Sequence, residues 1–271
     1  MKRGPVLCAL IGVGILGLLA WRLDVVRFLG RDDPLPVREE VQVTQSTPSS
    51  LDRALALLDQ AAAAFASVVD YRCTHLRDEL IDGELKKNHL LLKIRHEPFS
   101  VSMEWVAPRS KRGRRVLYVH GLNDGKMIVR DMITLRLDPK KSIEMKESRH
   151  TILEAGIKNL LQRFQRSWHK EKELGRTEVS CHEGEAIIHV GATEYRVPCI
   201  TVETRHRPED RQLFQFYRCR LFFDRRTNLP FQMEGYDWPT SASELERPRL
   251  AERYVYLDVQ SNVGLTDEDF K

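Results

Sequence analysis

From Tyr71 onward, apolar residues recur at every second position in segment after segment, with turn-forming residues between the segments. Successive side chains on a strand point to opposite faces, so this period commits most of the chain to β-sheet. Tyr71 to Leu80 and Leu85 to Arg95 flank Ile81-Asp82-Gly83-Glu84, and an Asp-Gly pair is a strong tight-hairpin signal. Phe99, Val101, Met103 and Trp105 alternate with Ser100, Ser102 and Glu104 until Pro108 ends the strand. Arg115 to His120 and Lys126 to Asp131 flank Gly121-Leu122-Asn123-Asp124-Gly125, a second hairpin, and Ile133 to Leu137 continues it. Thr177 to Cys181, Glu185 to Val190, Tyr195 to Thr204, Leu213 to Phe223, Phe231 to Trp238 and Ala251 to Val259 complete the set.

Only two stretches carry a helical period. Ser50 can cap a helix whose apolar face is Leu51, Ala54, Leu55, Leu58, Ala61, Ala62 and Phe65. Its middle, Ala61 to Ala64, is small enough for close approach to a sheet. Thr151-Ile152-Leu153-Glu154 reads as a capping box, followed by Ile157, Leu160, Leu161, Phe164 and Trp168 on one face and a closing Gly175. Eleven to twelve strands with two helices make an α+β, mainly β class, with helices over one face of an antiparallel sheet. Alternating β-α units do not fit.

The N-terminal segment has a different composition. Pro5 to Trp21 holds 17 consecutive uncharged positions between Lys2-Arg3 and Arg22. As a helix it reaches about 25 Å, the short end of a bilayer span, with Trp21 and Arg22 at the interface. Leu18-Leu19-Ala20-Trp21 is a poor cleavage site, so an uncleaved transmembrane helix is preferred over a removed signal peptide. The short flank before it favours a single-pass protein with its body outside the cytoplasm. Residues 1–30 are then anchor and flank. Residues 31–49, with Pro34, Pro36 and Pro48, read as a linker, and 50–271 as the folded body.

Four cysteines lie outside that apolar run: Cys73, Cys181, Cys199 and Cys219. One disulfide and four buried thiols are both open readings. If the strands ending near Thr204 and starting near Leu213 pair, Cys199 falls about opposite Cys219. No CxxC is present, and none of the nine histidines forms HxH, HxxxH or HExxH, so the sequence asks for no metal.

Several ordered segments carry a resemblance. Tyr71-Arg72-Cys73-Thr74, Lys93 to Val101, Trp105-Val106-Ala107-Pro108, Val116-Leu117-Tyr118-Val119 and Asn123-Asp124-Gly125-Lys126 resemble the bacterial family called domain of unknown function 1571. So do Leu137-Asp138-Pro139, Ser148-Arg149-His150, Glu154-Ala155-Gly156-Ile157, Asn228-Leu229-Pro230 and Asn262 to Phe270. Thr151 departs from the pattern, where proline is expected. The resemblance implies a fold like the LolA- and LolB-like periplasmic lipoprotein carriers: a curved half-barrel sheet with two helices on its concave face.

No motif for an enzyme appears: GxSxG, GxGxxG and the Walker A lysine pattern are all missing. Lys and Arg total 43 against 39 acidic residues, interspersed, which does not suit a nucleic-acid binder. The basic run Arg109-Ser110-Lys111-Arg112-Gly113-Arg114-Arg115 reads as a solvated loop, with anionic lipid headgroups as the sharper alternative. Cys181-His182-Glu183 reads as a turn beside a strand, and Asp78-Glu79 as a solvent-facing pair near a hairpin tip. Phe216, Phe222 and their neighbours are apolar on both faces of one strand, so the second face is covered or lines a cavity. The expected cleft residues are Ala62, Phe65, Ile157, Leu161, Phe164 and Trp168. The expected function is non-enzymatic binding of a lipid or lipidated protein, without a cofactor. The alternative is an envelope structural or interaction protein with a filled core.

Overall fold

Asp82 and Gly83 both take positive φ, 52° and 85°, and join two strands in register from Asp70↔Arg95 to Ile81↔Glu84. Around this hairpin a computed structural model describes residues 37–48 and 50–271. The strands are β1 (Val37–Pro48), β2 (Asp70–Ile81), β3 (Glu84–Arg95), β4 (Ser100–Ala107), β5 (Arg115–Val119) and β6 (Met127–Arg130). They continue as β7 (Thr134–Leu137), β8 (Glu178–Val190), β9 (Thr193–Arg205), β10 (Arg218–Asp224), β11 (Pro230–Tyr236) and β12 (Leu250–Ser261). All twelve form one antiparallel sheet in the order β1-β8-β9-β10-β11-β12-β2-β3-β4-β5-β6-β7. The sheet is open, with β1 and β7 as its edges.

The helices are α1 (Leu51–Phe65), α2 (Lys141–Glu144), α3 (Ile157–Leu174) and α4 (Ala242–Glu246). The long ones, α1 and α3, bury one face each, and those faces merge with the sheet in a single core. Leu58, Ala61, Ile157 and Trp168 are all but inaccessible there. Ala54 and Ala61, both fully buried, let α1 approach closely.

Several sequence expectations need correction. The segment read as a linker supplies β1, paired with β8 from Val37↔Val190 to Pro48↔Ser180. Val37, Val41 and Val43 share one parity, an alternation masked by the nearby prolines, and an edge strand tolerates Pro48 at its end. Thr177 to Cys181 and Glu185 to Val190 are not two strands but the single β8. Cys181-His182-Glu183 therefore sits within a continuous strand rather than at a turn. Cys199 and Cys219 do not meet: Cys219 lies opposite Thr204 and Cys199 opposite Asp224. That offset of five residues is odd, so the two thiols occupy opposite faces, Cys219 in the helix-covered core and Cys199 in a second cluster.

This second cluster covers the outer face. Leu76, Phe222, Phe231, Val255 and Leu257 pack there against Ala186, Ile188, Val190 and Cys199 of the β8–β9 hairpin. Tyr195, near the hairpin tip, donates its hydroxyl to Asp258 at 2.8 Å. Phe222 and Phe223 thus point to different cores, which explains a strand apolar on both sides. The expected anchor, Pro5 to Trp21, lies outside the described residues. Among the described residues no helix is long and apolar enough to cross a membrane.

Candidate functional site

On the inner face of β2, side chains change character halfway along. Tyr71 and Cys73 join the core, and His75, Arg77 and Glu79 follow on the same parity. On the neighbouring β12, Glu252, Tyr254 and Tyr256 share that face. Helix α3 divides in the same way: Leu161, Phe164 and Trp168 enter the core, while Asn159 and Arg163 border a space beyond it.

That space is a cavity of about 430 Å³, within the range of small-molecule sites. Met103, Trp105, Val116, Met127, Val129 and Leu137 of β4 to β7 form its wall, and Ile152 and Leu160 face them. Its border includes Met132, Ile133, Leu135, Met145 and Leu153, all exposed, with Met132 98% accessible.

The start of α3 is fixed against this face. The capping box at Thr151 closes a separate 3-10 turn, Ile152–Glu154, rather than the helix. Gly156 then turns the chain at φ 99°, and α3 begins at Ile157. A Cβ at Gly156 would lie 2.4 Å from Ile94 and 2.7 Å from the Tyr71 hydroxyl, so only glycine fits. That hydroxyl accepts the Ile157 N–H at 2.9 Å, satisfying a donor that a helix start leaves open.

Two fully buried carboxylates organise the floor. Glu252 accepts from Arg149 Nε at 3.1 Å, His150 Nε2 at 2.9 Å and Arg163 Nη2 at 3.2 Å. Glu79 accepts at Oε1 from Ser148 Oγ at 3.0 Å, the Arg149 N–H at 3.2 Å and the Tyr254 hydroxyl at 2.7 Å. Ser148-Arg149-His150 is therefore clasped by two carboxylates. Burial alone would lower the His150 pKa, but the Glu252 bond and charge outweigh it and raise it. Burial likewise opposes ionisation of Glu252, and the His150 bond with the charges of Arg163, His150 and Arg149 holds it below the usual carboxylate range. Burial first, then the Arg77 cation, drive His75 down to about 3. Its ring stays neutral, with Nδ1 3.0 Å from the Val255 carbonyl oxygen.

The structure distributes the expected cleft residues differently. Phe65, Ile157, Leu161, Phe164 and Trp168 are packed in the core, Ala62 is half-buried on α1, and none of the six lines the cavity. Phe164 and Trp168 border only a smaller hollow of about 80 Å³ with Glu171 and His206. Asp78 and Glu79 are buried rather than solvent-facing, because the strands run on to the Asp82-Gly83 turn. Asp78 meets Arg253 at 2.9 Å on the outer face, and Glu79 forms the cavity floor. The floor residues His75, Arg77, Glu79, Arg163 and Glu252 have no sequence motif. Their available signal is parity: an apolar strand face that turns ionic without changing register. The basic run partners acids at the cavity, with Lys111 on Glu147 and Arg114 on Asp131, both at 2.7 Å. Among the described residues, no cluster of three metal-ligating side chains occurs.

An open antiparallel sheet holding a half-apolar, half-ionic cavity beside one helix defines the architecture. The family model described as "Protein of unknown function (DUF1571)" matches residues 68–271, and the chain belongs to that family. Among solved structures it is similar to lipoprotein LppX of Mycobacterium tuberculosis, at 8% identity and TM-score 0.45, over 79% of this chain and 99% of that one. It is also similar to an uncharacterized conserved protein from Thermus thermophilus, at 9% identity and TM-score 0.39, over 80% and 92%. A LolA superfamily protein from Nitrosomonas europaea is similar at 13% identity and TM-score 0.33, over 80% and 97%. No curated protein matches the sequence.

Proposed function

We propose that this chain is a non-enzymatic binding module that takes the acyl chain of a lipid or lipidated protein into the cavity between β4–β7 and α3. The observation that carries this reading is the cavity itself: about 430 Å³, walled by methionine, valine and leucine, and opening between exposed apolar side chains. Removing an acyl chain from water contributes roughly 0.8 kcal/mol per buried methylene, so a short stretch of chain suffices for useful affinity. Binding is favoured over chemistry because Glu252 is engaged at both oxygens by Arg149, His150 and Arg163, while Glu79 is held by three bonds at Oε1 and faces the Arg77 cation with Oε2. The reading includes a body tethered to a membrane outside the cytoplasm, supported by the apolar run Pro5 to Trp21, and half-barrel in form, supported by the open antiparallel sheet with its helices in the core.

Native mass spectrometry of the full chain after mild extraction tests the reading. The expected result is a co-purified mass of an acyl-bearing molecule, lost from a Val129→Trp variant that fills the cavity. A bare chain that also fails to take up any long-chain lipid would overturn it.

A further inference from the structure

The cavity contains one buried cation that its own protein leaves without a hydrogen bond. Arg77 is 9% exposed and lines the cavity, yet among the described residues its side chain donates to no acceptor. Its Nε forms an ion pair with Glu79 Oε2 at 3.4 Å, outside hydrogen-bond geometry and with neither atom hydrogen-bonded elsewhere, and its guanidinium lies 5.6 Å above the centre of the Trp105 ring. The other floor cations are engaged. Arg149 donates to Glu252 and to the Leu80 carbonyl, and Arg163 donates to Glu252. The other acids bordering the cavity are engaged as well: Asp131 and Glu147 with Arg114, and Glu154 with His150.

A guanidinium carries five N–H donors in a planar fork and cannot lose its proton. Buried donors without acceptors are costly, and a carboxylate or phosphate meets the fork with two parallel bonds. We infer that the cavity takes an amphiphile with an anionic head group, carboxylate or phosphate, held at Arg77 with its chain against the Met127 and Val129 wall; this rests on the cavity reading above. The polarity of the site then runs along its length. The head meets the buried floor cation whose N–H donors its ion pair with Glu79 leaves without hydrogen bonds, and the tail meets the apolar wall and the rim at Met132.

Matched probes of one chain length test this on the full chain: palmitate, hexadecyl phosphate and the neutral hexadecanol, with acetate and inorganic phosphate as heads without tails. At least one of the charged amphiphiles should bind about tenfold or more tighter than hexadecanol, since charge-assisted bidentate bonds are the strong ones. Whichever of the two binds tighter identifies the head. Acetate and phosphate should show no saturable binding. Arg77→Met should abolish the anionic advantage, bringing palmitate and hexadecyl phosphate to the affinity of hexadecanol in the same variant, while Arg77→Lys should keep part of it. Equal binding of all three amphiphiles overturns the head-group inference alone. A preference that survives in Arg77→Met also overturns it. Tight binding of free phosphate would assign the site to a soluble anion and overturn the amphiphile. If Arg77→Met fails to fold, the comparison of palmitate and hexadecyl phosphate with hexadecanol on the unmodified chain decides. Binding of none of the three overturns the cavity reading instead.

Discussion

The two flanks of α3 are built from the same sheet and solve the same packing problem in different ways. On one flank α1 lies across the strands, and Phe164 and Trp168 meet edge to face at 5.2 Å within a filled core. On the other flank the nearby helix among the described residues is α2, four residues long, which is too short to cover β5 to β7. The wall residues there are as apolar as the core, but α2, the turn Ile152–Glu154 and the first turn of α3 border the space over them without filling it. A cavity of this kind is the consequence of a missing layer, not of a special lining. Its charged floor follows from the same geometry: groups deep beside an unfilled space keep room for polar partners, and a fully packed flank would not.

Large-to-small changes should break the symmetry of that comparison most strongly. Trp168, 1% exposed, supports the filled flank. Its replacement by alanine should cost about 3–5 kcal/mol in urea unfolding, because the cavity left behind cannot collapse. Val129→Ala, on a wall that already faces empty space, should cost only about 1 kcal/mol. Similar losses at both sites would mean that the two flanks are equally packed.

Small-to-large changes should reverse the order. Ala61 is fully buried between α1 and the sheet, so Ala61→Phe should destabilise by about 1–3 kcal/mol through overpacking. Val129→Trp has space to enter and should lose less than about 1 kcal/mol while abolishing uptake of hexadecanol. Paired thermal melts and uptake measurements check both halves. Unchanged uptake in Val129→Trp would place the ligand elsewhere.

Titration of the floor gives a smaller effect. His150 has a raised pKa, so its contribution to stability is fully present below the ordinary histidine value of 6.5 and is lost as pH rises through the folded value. Glu252 has a lowered pKa and contributes above the ordinary value of 4.5, losing its share only in acid. His75, His89 and His96, all shifted down, act in the opposite direction below pH 6.5. The useful quantity is therefore the difference between the parent chain and His150→Gln at each pH. That difference should be about 0.5–1.5 kcal/mol near pH 5.5 and shrink toward zero by about pH 9. A difference that grows with pH would contradict the His150–Glu252 pairing.

Much of the sheet was legible because period two and Asp-Gly turns are local signals, and so were the two long helices. The boundary of α3 was not, since a good capping box at Thr151 serves a 3-10 turn and Gly156 intervenes. The strand β1 was hidden by nearby prolines, of which an edge position tolerates Pro48 at its end. Pairing of Cys199 with Cys219 failed because register depends on loop length, and five residues of offset place them on opposite faces. The apolar residues of the two helices fit a cleft as well as a core, since periodicity says only that a face is buried, not whether the burial leaves space. The ionic floor was the least accessible: Glu79 and Glu252 lie far apart in sequence and meet only because β12 pairs with β2. Ser148-Arg149-His150, met first as part of a family pattern, acquires its physical meaning only between those two carboxylates.

The rim provides the smallest and most specific test of the comparison. Met132 and Ile133, 98% and 65% exposed, make little of the fold, and removing them should leave stability within about 0.5 kcal/mol. Exposed apolar side chains scattered over a surface need no explanation, but Met132, Ile133, Leu135, Met145 and Leu153 surround one opening. If they shield a bound chain where it leaves the cavity, Met132→Ser with Ile133→Ser should weaken hexadecanol binding by a few-fold at unchanged melting temperature. Leu91 and Leu122, 47% and 55% exposed but not bordering the cavity, provide the control. Serine at those two positions should alter neither quantity. An equal loss of binding from the rim pair and the control pair would show that exposed apolar side chains in general, rather than this opening, govern uptake. A loss confined to the rim pair would tie the exposed methionine to the cavity below it, and would mark the open flank of α3 as the side of the molecule that meets the ligand.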